Sequence, residues 1–156
     1  MVNGELKYRD LSHQDIPFFL ELARENKIWR EIELKGEKLE NYIETYSYLN
    51  GEWRLWTLQK DFIGVSFHTK LAPSNGKPWF GTLIITVKFQ KQGIGKAIIE
   101  KITSELKEEG MNVIFAGIPF DQYNWIDFLG KCSFEQFKIE KDDQGNSYLI
   151  MIRPIQ

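Results

Sequence analysis

The sequence predicts an α/β fold of the α+β kind, with a mixed, mostly antiparallel sheet of six to seven strands flanked by about four helices. Apolar residues recur at helical spacing before residue 50 and again after Gly93, whereas residues 53–58 form an extended run and apolar residues alternate with polar or small ones from 63 to 68. The chain has 156 residues, of which 42% are hydrophobic. We therefore expect one packed domain over residues 1–156.

The first third predicts one strand followed by two helices. Leu6–Arg9 forms the strand, and Ser12 or Asp15 caps the helix that follows, with Pro17 tolerated in its first turn if Asp15 is the cap. The buried sides of the two helices are Ile16, Phe19, Leu20 and Ala23, then Leu39, Tyr42, Ile43 and Tyr46.

The middle of the chain predicts three strands. Trp53–Leu58 and the alternating run Ile63–His68 form a hairpin around Lys60-Asp61. Leu71–Pro78 is rich in Pro, Gly, Ser and Asn and is predicted to be a loop. Phe80–Val87 is a mostly apolar run, which predicts a strand buried on both faces.

The last third predicts a long helix, a strand, a short helix and a closing hairpin. Ile94, Ile98, Ile102 and Leu106 step by four, and Gly110 ends that helix at the C′ position. The elements that follow are Asn112–Ile118, Tyr123–Lys131, Phe134–Glu140 and Tyr148–Arg153.

Charge, cysteine content and hydropathy exclude several classes of protein. A net charge of −2 gives no basic field for nucleic acid. The single cysteine, Cys132, cannot form an intrachain disulfide, which favours a reducing compartment. No apolar run reaches about 18 residues, so no membrane partner is expected. We expect a cytoplasmic protein.

The stretch Gln90–Ala97, between a buried strand and a long amphipathic helix, carries the clearest functional signal. A helix start leaves backbone N–H groups unpaired, and Gly93 and Gly95 would let that backbone approach a phosphate. Lys91 and Lys96 add positive charge, so the stretch predicts a pyrophosphate cradle. The alternative is a turn whose glycines only permit close packing. The spacing matches neither the P-loop nor the Rossmann fingerprint.

The stretch resembles motif A of the GNAT superfamily of N-acetyltransferases, Q/R-x-x-G-x-G/A, in Gln90, Gly93 and Gly95. The preceding Leu83–Val87 is similar to that family's fourth strand, and the element order matches over nearly the whole chain. The resemblance implies splayed central strands and acetyl-CoA as acyl donor, with no metal. The implied coenzyme contacts are the main chain of Ile85 and Val87, then Gln90, Lys91, Gln92, Gly93, Ile94, Gly95, Lys96, Ala97 and Asn124.

The same resemblance implies direct acetyl transfer to a primary amine of a small molecule or peptide within a ternary complex. The backbone N–H of Ile85 would polarise the thioester carbonyl. A homodimer is left open, because dimers are frequent in similar proteins. Glu21, Glu25, Glu31 and Glu33 are candidate ligands for a cationic acceptor, and Trp29 and Trp56 are candidate walls of its pocket.

The sequence departs from the family pattern at the general acid. Ser133-Phe134 occupies the position of a Gly-Phe pair, which puts Leu129 where a catalytic Tyr is usual. Asn124 is the nearest substitute for the usual Asn. Tyr123 and His68 are weak candidates for proton transfer. Two other readings therefore stay open: a non-catalytic acyl-CoA sensor and a generic phosphate-binding domain.

Overall fold

The computed structural model describes residues 5–156 and contains a seven-stranded sheet with the strand order β1-β2-β3-β4-β5-β7-β6. The sheet is mostly antiparallel, and β4 and β5 are parallel. The strands are β1 Leu6–Asp10, β2 Gly51–Leu58, β3 Asp61–Thr69, β4 Trp79–Ile85, β5 Val113–Pro119, β6 Glu135–Lys141 and β7 Ser147–Pro154. The helices are α1 Ile16–Glu25, α2 Lys27–Trp29, α3 Leu39–Ser47, α4 Ile94–Glu108 and α5 Tyr123–Lys131.

This architecture confirms the predicted fold class. The chain divides into two compact units: the first covers the described residues 5–69 and Thr82–Gly95, and the second covers Lys70–Gly81 and Lys96–Gln156. Both β4 and α4 therefore begin in one unit and end in the other. Whether residues 1–156 act as one domain stays a prediction. No helix within residues 5–156 is long and apolar enough to cross a bilayer.

The predicted start of α1 is present, preceded by a 3₁₀ turn over His13–Asp15. Asp15 is 3% exposed, accepts the backbone N–H of Ser12 at 2.8 Å, and forms an ion pair with Arg9 at 2.8 Å. Hydrogen bonding to the Arg9 guanidinium holds the pKa of Asp15 below its ordinary value. Pro17 lies in the first turn of α1, where its missing N–H costs nothing.

Residues 27–34 are helical, which the sequence analysis did not predict. The one-turn helix α2 runs directly into a π-helical segment, Arg30–Leu34, which ends at Lys35 with a φ of 50°. Trp29 and Leu34 are buried here, in a core shared with α1, α3, β2, β3 and Ile84 of β4. Burial of these two side chains explains why the segment folds without a side-chain hydrogen bond from its N-cap residue, Asn26, and without a regular apolar period.

The strand prediction for Phe80–Val87 is wrong at its C-terminal end, because β4 stops at Ile85. Thr86 still donates its N–H to the Ile63 carbonyl at 2.8 Å, but Val87–Phe89 turns into a 3₁₀ helix. Gly64 on β3 permits close approach to β4: a Cβ built there would lie 2.6 Å from the Ile84 carbonyl oxygen.

The second unit confirms the predicted helices α4 and α5 and the closing hairpin. Ile98, Ile102 and Leu106 of α4 are fully buried, as the four-residue step predicts. Gly110 has a φ of 84° and ends the helix. The ladder between β4 and β5 has two residue pairs, Trp79 with Phe115 and Phe80 with Ala116.

Candidate functional site

The turn before α4 has an unusual backbone. Lys91 has a φ of 61° and Gly93 a φ of 81°, so two residues of a four-residue turn adopt left-handed conformations. A left-handed conformation is disfavoured for Lys. Left-handed residues in a turn bring successive backbone N–H groups together, and these groups can form an anion-binding concavity. Strained backbone of this kind is commonly kept at binding sites.

Space lies open in front of this turn. Lys91, Gln92 and Gly93 are exposed, and a Cβ built on Gly93 meets no heavy atom within 4 Å. Among residues 5–156, no group accepts a hydrogen bond from the N–H of Gly93 or Ile94. Ile94 is 2% exposed and fixes the first turn of α4 in the core. The helix therefore presents unpaired donors and its positive dipole end to an open surface.

Gln90 ties this turn to the end of β4. Its Nε2 donates to the Ile85 carbonyl at 2.8 Å and to Asn26 Oδ1 at 2.9 Å. Asn26, which follows α1, also donates its Nδ2 to the Leu22 carbonyl at 2.9 Å. The first residue of the predicted motif thus holds the strand end and α1 in register, with its side-chain amide directed inward.

The side chain of Glu25 forms hydrogen bonds to the two residues that follow β4. One carboxylate oxygen, Oε1, accepts the Thr86 hydroxyl at 3.0 Å and the Val87 N–H at 3.1 Å. This is the N-terminal end of the 3₁₀ turn, where unpaired N–H groups favour a carboxylate. Val87 was predicted to pair with the pantetheine arm, and in this structure its N–H is already bonded.

Comparison with known proteins shows the family to which the chain belongs. No family model matches it. The uncharacterized protein YkzC of Bacillus subtilis (strain 168) is 41% identical over 134 residues, which cover 86% of this chain and 94% of YkzC. The chain belongs to the YkzC family.

Solved structures show which fold this YkzC-family protein has. A GNAT family acetyltransferase from Elizabethkingia anophelis with acetyl-CoA bound superposes with a TM-score of 0.70 at 14% identity, covering 97% of this chain and 99% of that one. RimL, a ribosomal L7/L12 alpha-N-protein acetyltransferase in complex with coenzyme A, gives a TM-score of 0.77 at 16% identity, covering 99% and 97%. The YkzC-family protein has the GNAT fold, as its motif A resemblance implied.

Two aromatic candidates for the acceptor pocket belong to the core of the YkzC-family protein instead. Trp29 is 5% exposed and donates its Nε1 to Thr82 Oγ1 at 2.8 Å. Trp56 is fully buried and donates to Ser66 Oγ at 2.7 Å. The prediction that they wall a pocket is wrong, because both indole N–H groups are paired within the interior.

His68 also lies in the interior. In the alternating run Ile63–His68 it shares with Ser66 the side of β3 that was predicted to be polar, but it is 2% exposed and Ser66 is fully buried. Its role in proton transfer stays a prediction.

The second unit shows how the departures from the family pattern are accommodated. Ser133 has a φ of 71°, the left-handed conformation that the usual glycine would adopt, and Leu129 at the usual Tyr position is 1% exposed. Tyr123 begins α5 and is 68% exposed, and Asn124 beside it is exposed. Tyr123 as acid and Asn124 as coenzyme ligand stay predictions.

The acidic residues that were predicted to attract a cationic acceptor differ in their surroundings. Glu21 pairs with Arg24 on the surface of α1, and Glu31 is exposed. Glu33 is only partly exposed and accepts the Tyr42 hydroxyl at 2.6 Å. Burial raises the pKa of Glu33. No pattern in the sequence predicted that this carboxylate would be partly buried.

Sequence reasoning also missed an aromatic cleft in the second unit. Small-ligand sites are clefts of roughly 300–1,000 Å³, and this cleft measures about 430 Å³. Its lining includes Trp79 and Phe115, whose rings stack at 5.2 Å, together with Phe137 and Tyr148. No local pattern indicates the cleft, because its four aromatic residues come from four separate strands, β4, β5, β6 and β7. Among the described residues, no group of three or more His, Cys, Asp or Glu side chains is placed to hold a metal.

Proposed function

We propose that this protein transfers an acetyl group from acetyl-CoA to a primary amine of a small molecule or peptide, directly and within a ternary complex. The observation that carries the proposal is the turn before α4, where left-handed Lys91 and Gly93 precede unpaired N–H groups at an open surface. A GNAT-fold neighbour with acetyl-CoA bound supports the same donor. The N–H groups from Gln92 to Ala97 would hold the diphosphate, with Lys91 and Lys96 beside them.

The direction of the β4 backbone supports the predicted role of Ile85. Because the Thr86 N–H bonds to Ile63 on β3, strand alternation turns the Ile85 N–H to the opposite edge of β4. There it would donate to the thioester carbonyl and stabilise the oxyanion that forms during attack. The Ile85 carbonyl is held by Gln90, which fixes the orientation of this peptide group.

Pairing of Val87 with the pantetheine requires one local change. Glu25 must release the Val87 N–H before that group can bond to a ligand amide. Glu25 is exposed, so its side chain can rotate into solvent at small cost. Once it has rotated away from Val87, the Glu25 carboxylate is hydrated by solvent.

The chemistry asked of the protein is modest. An amine that has lost its proton attacks the thioester carbonyl, the C–N bond forms, the C–S bond breaks, and the thiolate takes a proton. Holding the two reactants together supplies much of the rate. Tyr123 is our candidate donor to the thiolate.

A second candidate function is a non-catalytic acyl-CoA sensor. Leu129 fills the position of the usual phenolic acid and is buried, so α5 offers no phenol there. A sensor would keep the cradle and bind the donor without turnover.

Two measurements separate the candidates. We expect acetyl-CoA to raise the melting temperature, because a ligand that binds only the folded state stabilises it. We also expect thiol release from acetyl-CoA in the presence of a panel of primary amines. Binding without turnover on any amine would favour the sensor, and the absence of any thermal shift would contradict both.

A further inference from the structure

Glu33 is set apart from the surface carboxylates by its surroundings. It lies in the π-helical segment Arg30–Leu34, and π-helical turns are frequent at functional sites. Burial raises its pKa, whereas hydrogen bonds from Tyr42 and Tyr46 and the nearby charge of Lys35 act in the opposite direction. A half-buried carboxyl with a perturbed pKa is a functional-site candidate on physical grounds.

The hydrogen bonds leave one oxygen of this carboxyl available. Oε1 accepts the Tyr42 hydroxyl at 2.6 Å and the Tyr46 hydroxyl at 3.4 Å. Within the described residues, Oε2 of Glu33 has no hydrogen-bond partner. The rings of Tyr42 and Tyr46 pack edge to face at 4.9 Å beside it. A carboxylate oxygen next to aromatic rings is a favourable environment for an ammonium group.

A chain of contacts connects Glu33 to β4 inside the first unit. The Tyr42 hydroxyl, which binds Glu33, lies near the Thr82 hydroxyl, and Thr82 accepts the Trp29 Nε1 at 2.8 Å. Thr82 precedes Ile85 by three residues on the same strand. At about 3.3 Å per residue, these two positions are roughly 10 Å apart along β4.

We propose that Glu33 binds a second ammonium group of the acceptor, so that the substrate is a diamine, a polyamine or a similarly dicationic amine. This inference rests on the proposed acetyl transfer, which places the reacting nitrogen at the Ile85 N–H. The path from Ile85 to Glu33 runs roughly 10 Å along β4 to Thr82 and then through the Tyr42 hydroxyl, so we expect a spacer of several methylene groups between the two nitrogens. Glu33 selects and positions the substrate and takes no part in bond making.

The test compares 1,7-diaminoheptane with 1-aminoheptane as acceptors for the wild-type protein, Glu33→Gln and Glu37→Gln. Glu37 is the matched control because it is an exposed carboxylate three residues after the π-helical segment. We expect Glu33→Gln to lower kcat/KM for the diamine about tenfold, mainly through KM, and to leave the monoamine unchanged. Glu37→Gln should behave like the wild type.

A second readout does not depend on turnover. Calorimetric titration of the coenzyme A complex with 1,7-diaminoheptane should show binding that weakens about tenfold in Glu33→Gln. Wild-type turnover with equal use of both amines, or diamine affinity unchanged in Glu33→Gln, would overturn the inference and leave the proposed function intact. Glu33-dependent diamine binding without turnover on any amine would support the site and contradict acetyl transfer.

Discussion

The two ends of α4 share a backbone geometry and differ in how their polar groups are satisfied. Gly93 before the helix and Gly110 after it have φ values of 81° and 84°, and a Cβ built on either meets nothing within 4 Å. At the C-terminal end the chain closes on itself, since Gly110 and Met111 donate to the carbonyls of Lys107 and Leu106 at 3.0 and 2.9 Å. The N–H groups of Gly93 and Ile94 have no such acceptor among residues 5–156.

This difference predicts a structural role for Gly110 and a binding role for Gly93. Both positions need a residue that tolerates positive φ, so conformation alone does not mark a site. Only the N-terminal end combines that conformation with unpaired donors and a positive dipole end. A matched pair of substitutions can therefore isolate the binding role.

The largest effect is expected from Gly93→Val compared with Gly110→Val. Both should lower the free energy of unfolding by about 1–3 kcal/mol, because each places a β-branched residue at positive φ. Only Gly93→Val should weaken coenzyme A binding, by about 100-fold or more, since its side chain fills the space of the diphosphate. Titration calorimetry measures the coenzyme A affinity of each variant. Equal affinities in the two variants would remove the distinction between the helix ends.

A smaller effect is expected where β3 supports the strand leading to the cradle. Gly64→Ala places a Cβ 2.6 Å from the Ile84 carbonyl oxygen and should lower the free energy of unfolding by about 1–3 kcal/mol. Gly117→Ala is the control in the second unit, because its nearest contacts, at 3.5 and 3.6 Å, are ordinary. Denaturant melts of both variants check this. A similar loss in both would mean that Gly64 is not needed for close approach.

The smallest effect is expected from the side chains that brace each end of α4. Gln90→Ala removes the bonds to Ile85 and Asn26 and should lower stability by about 1 kcal/mol and coenzyme A affinity severalfold. Lys70→Ala breaks the exposed ion pair with Glu109 at the other end and should change stability by less than about 0.5 kcal/mol, with no change in affinity. Equal losses of affinity would contradict a specific role for Gln90.

Local signals in the sequence predicted much of this molecule. The four-residue apolar step of α4, Gly110 at its end and the bounds of α5 all follow from patterns within one or two turns of helix. Gly93 before α4 and Gly95 in its first turn led in the same way to the cradle, which stays a prediction. These features depend on backbone conformation, which nearby residues largely determine.

The rest depends on contacts between residues far apart in sequence. Gln90 and Asn26 are 64 positions apart, and Val87 and Glu25 are 62 apart, so no local pattern indicates that they bond. The pKa of Glu33 depends on burial and on tyrosines of α3, and the helical segment that carries it folds because Trp29 and Leu34 enter the core. Tertiary packing decides such features and overrides local propensity.

The most direct test of the central claim is a ¹⁵N NMR titration of the folded protein with coenzyme A. We predict that the backbone amides of Gln92, Gly93 and Gly95 shift strongly on binding, because their N–H groups bond to the diphosphate. The amide of Gly110 should remain unchanged. Saturable binding that leaves the amides before α4 unshifted would contradict the account.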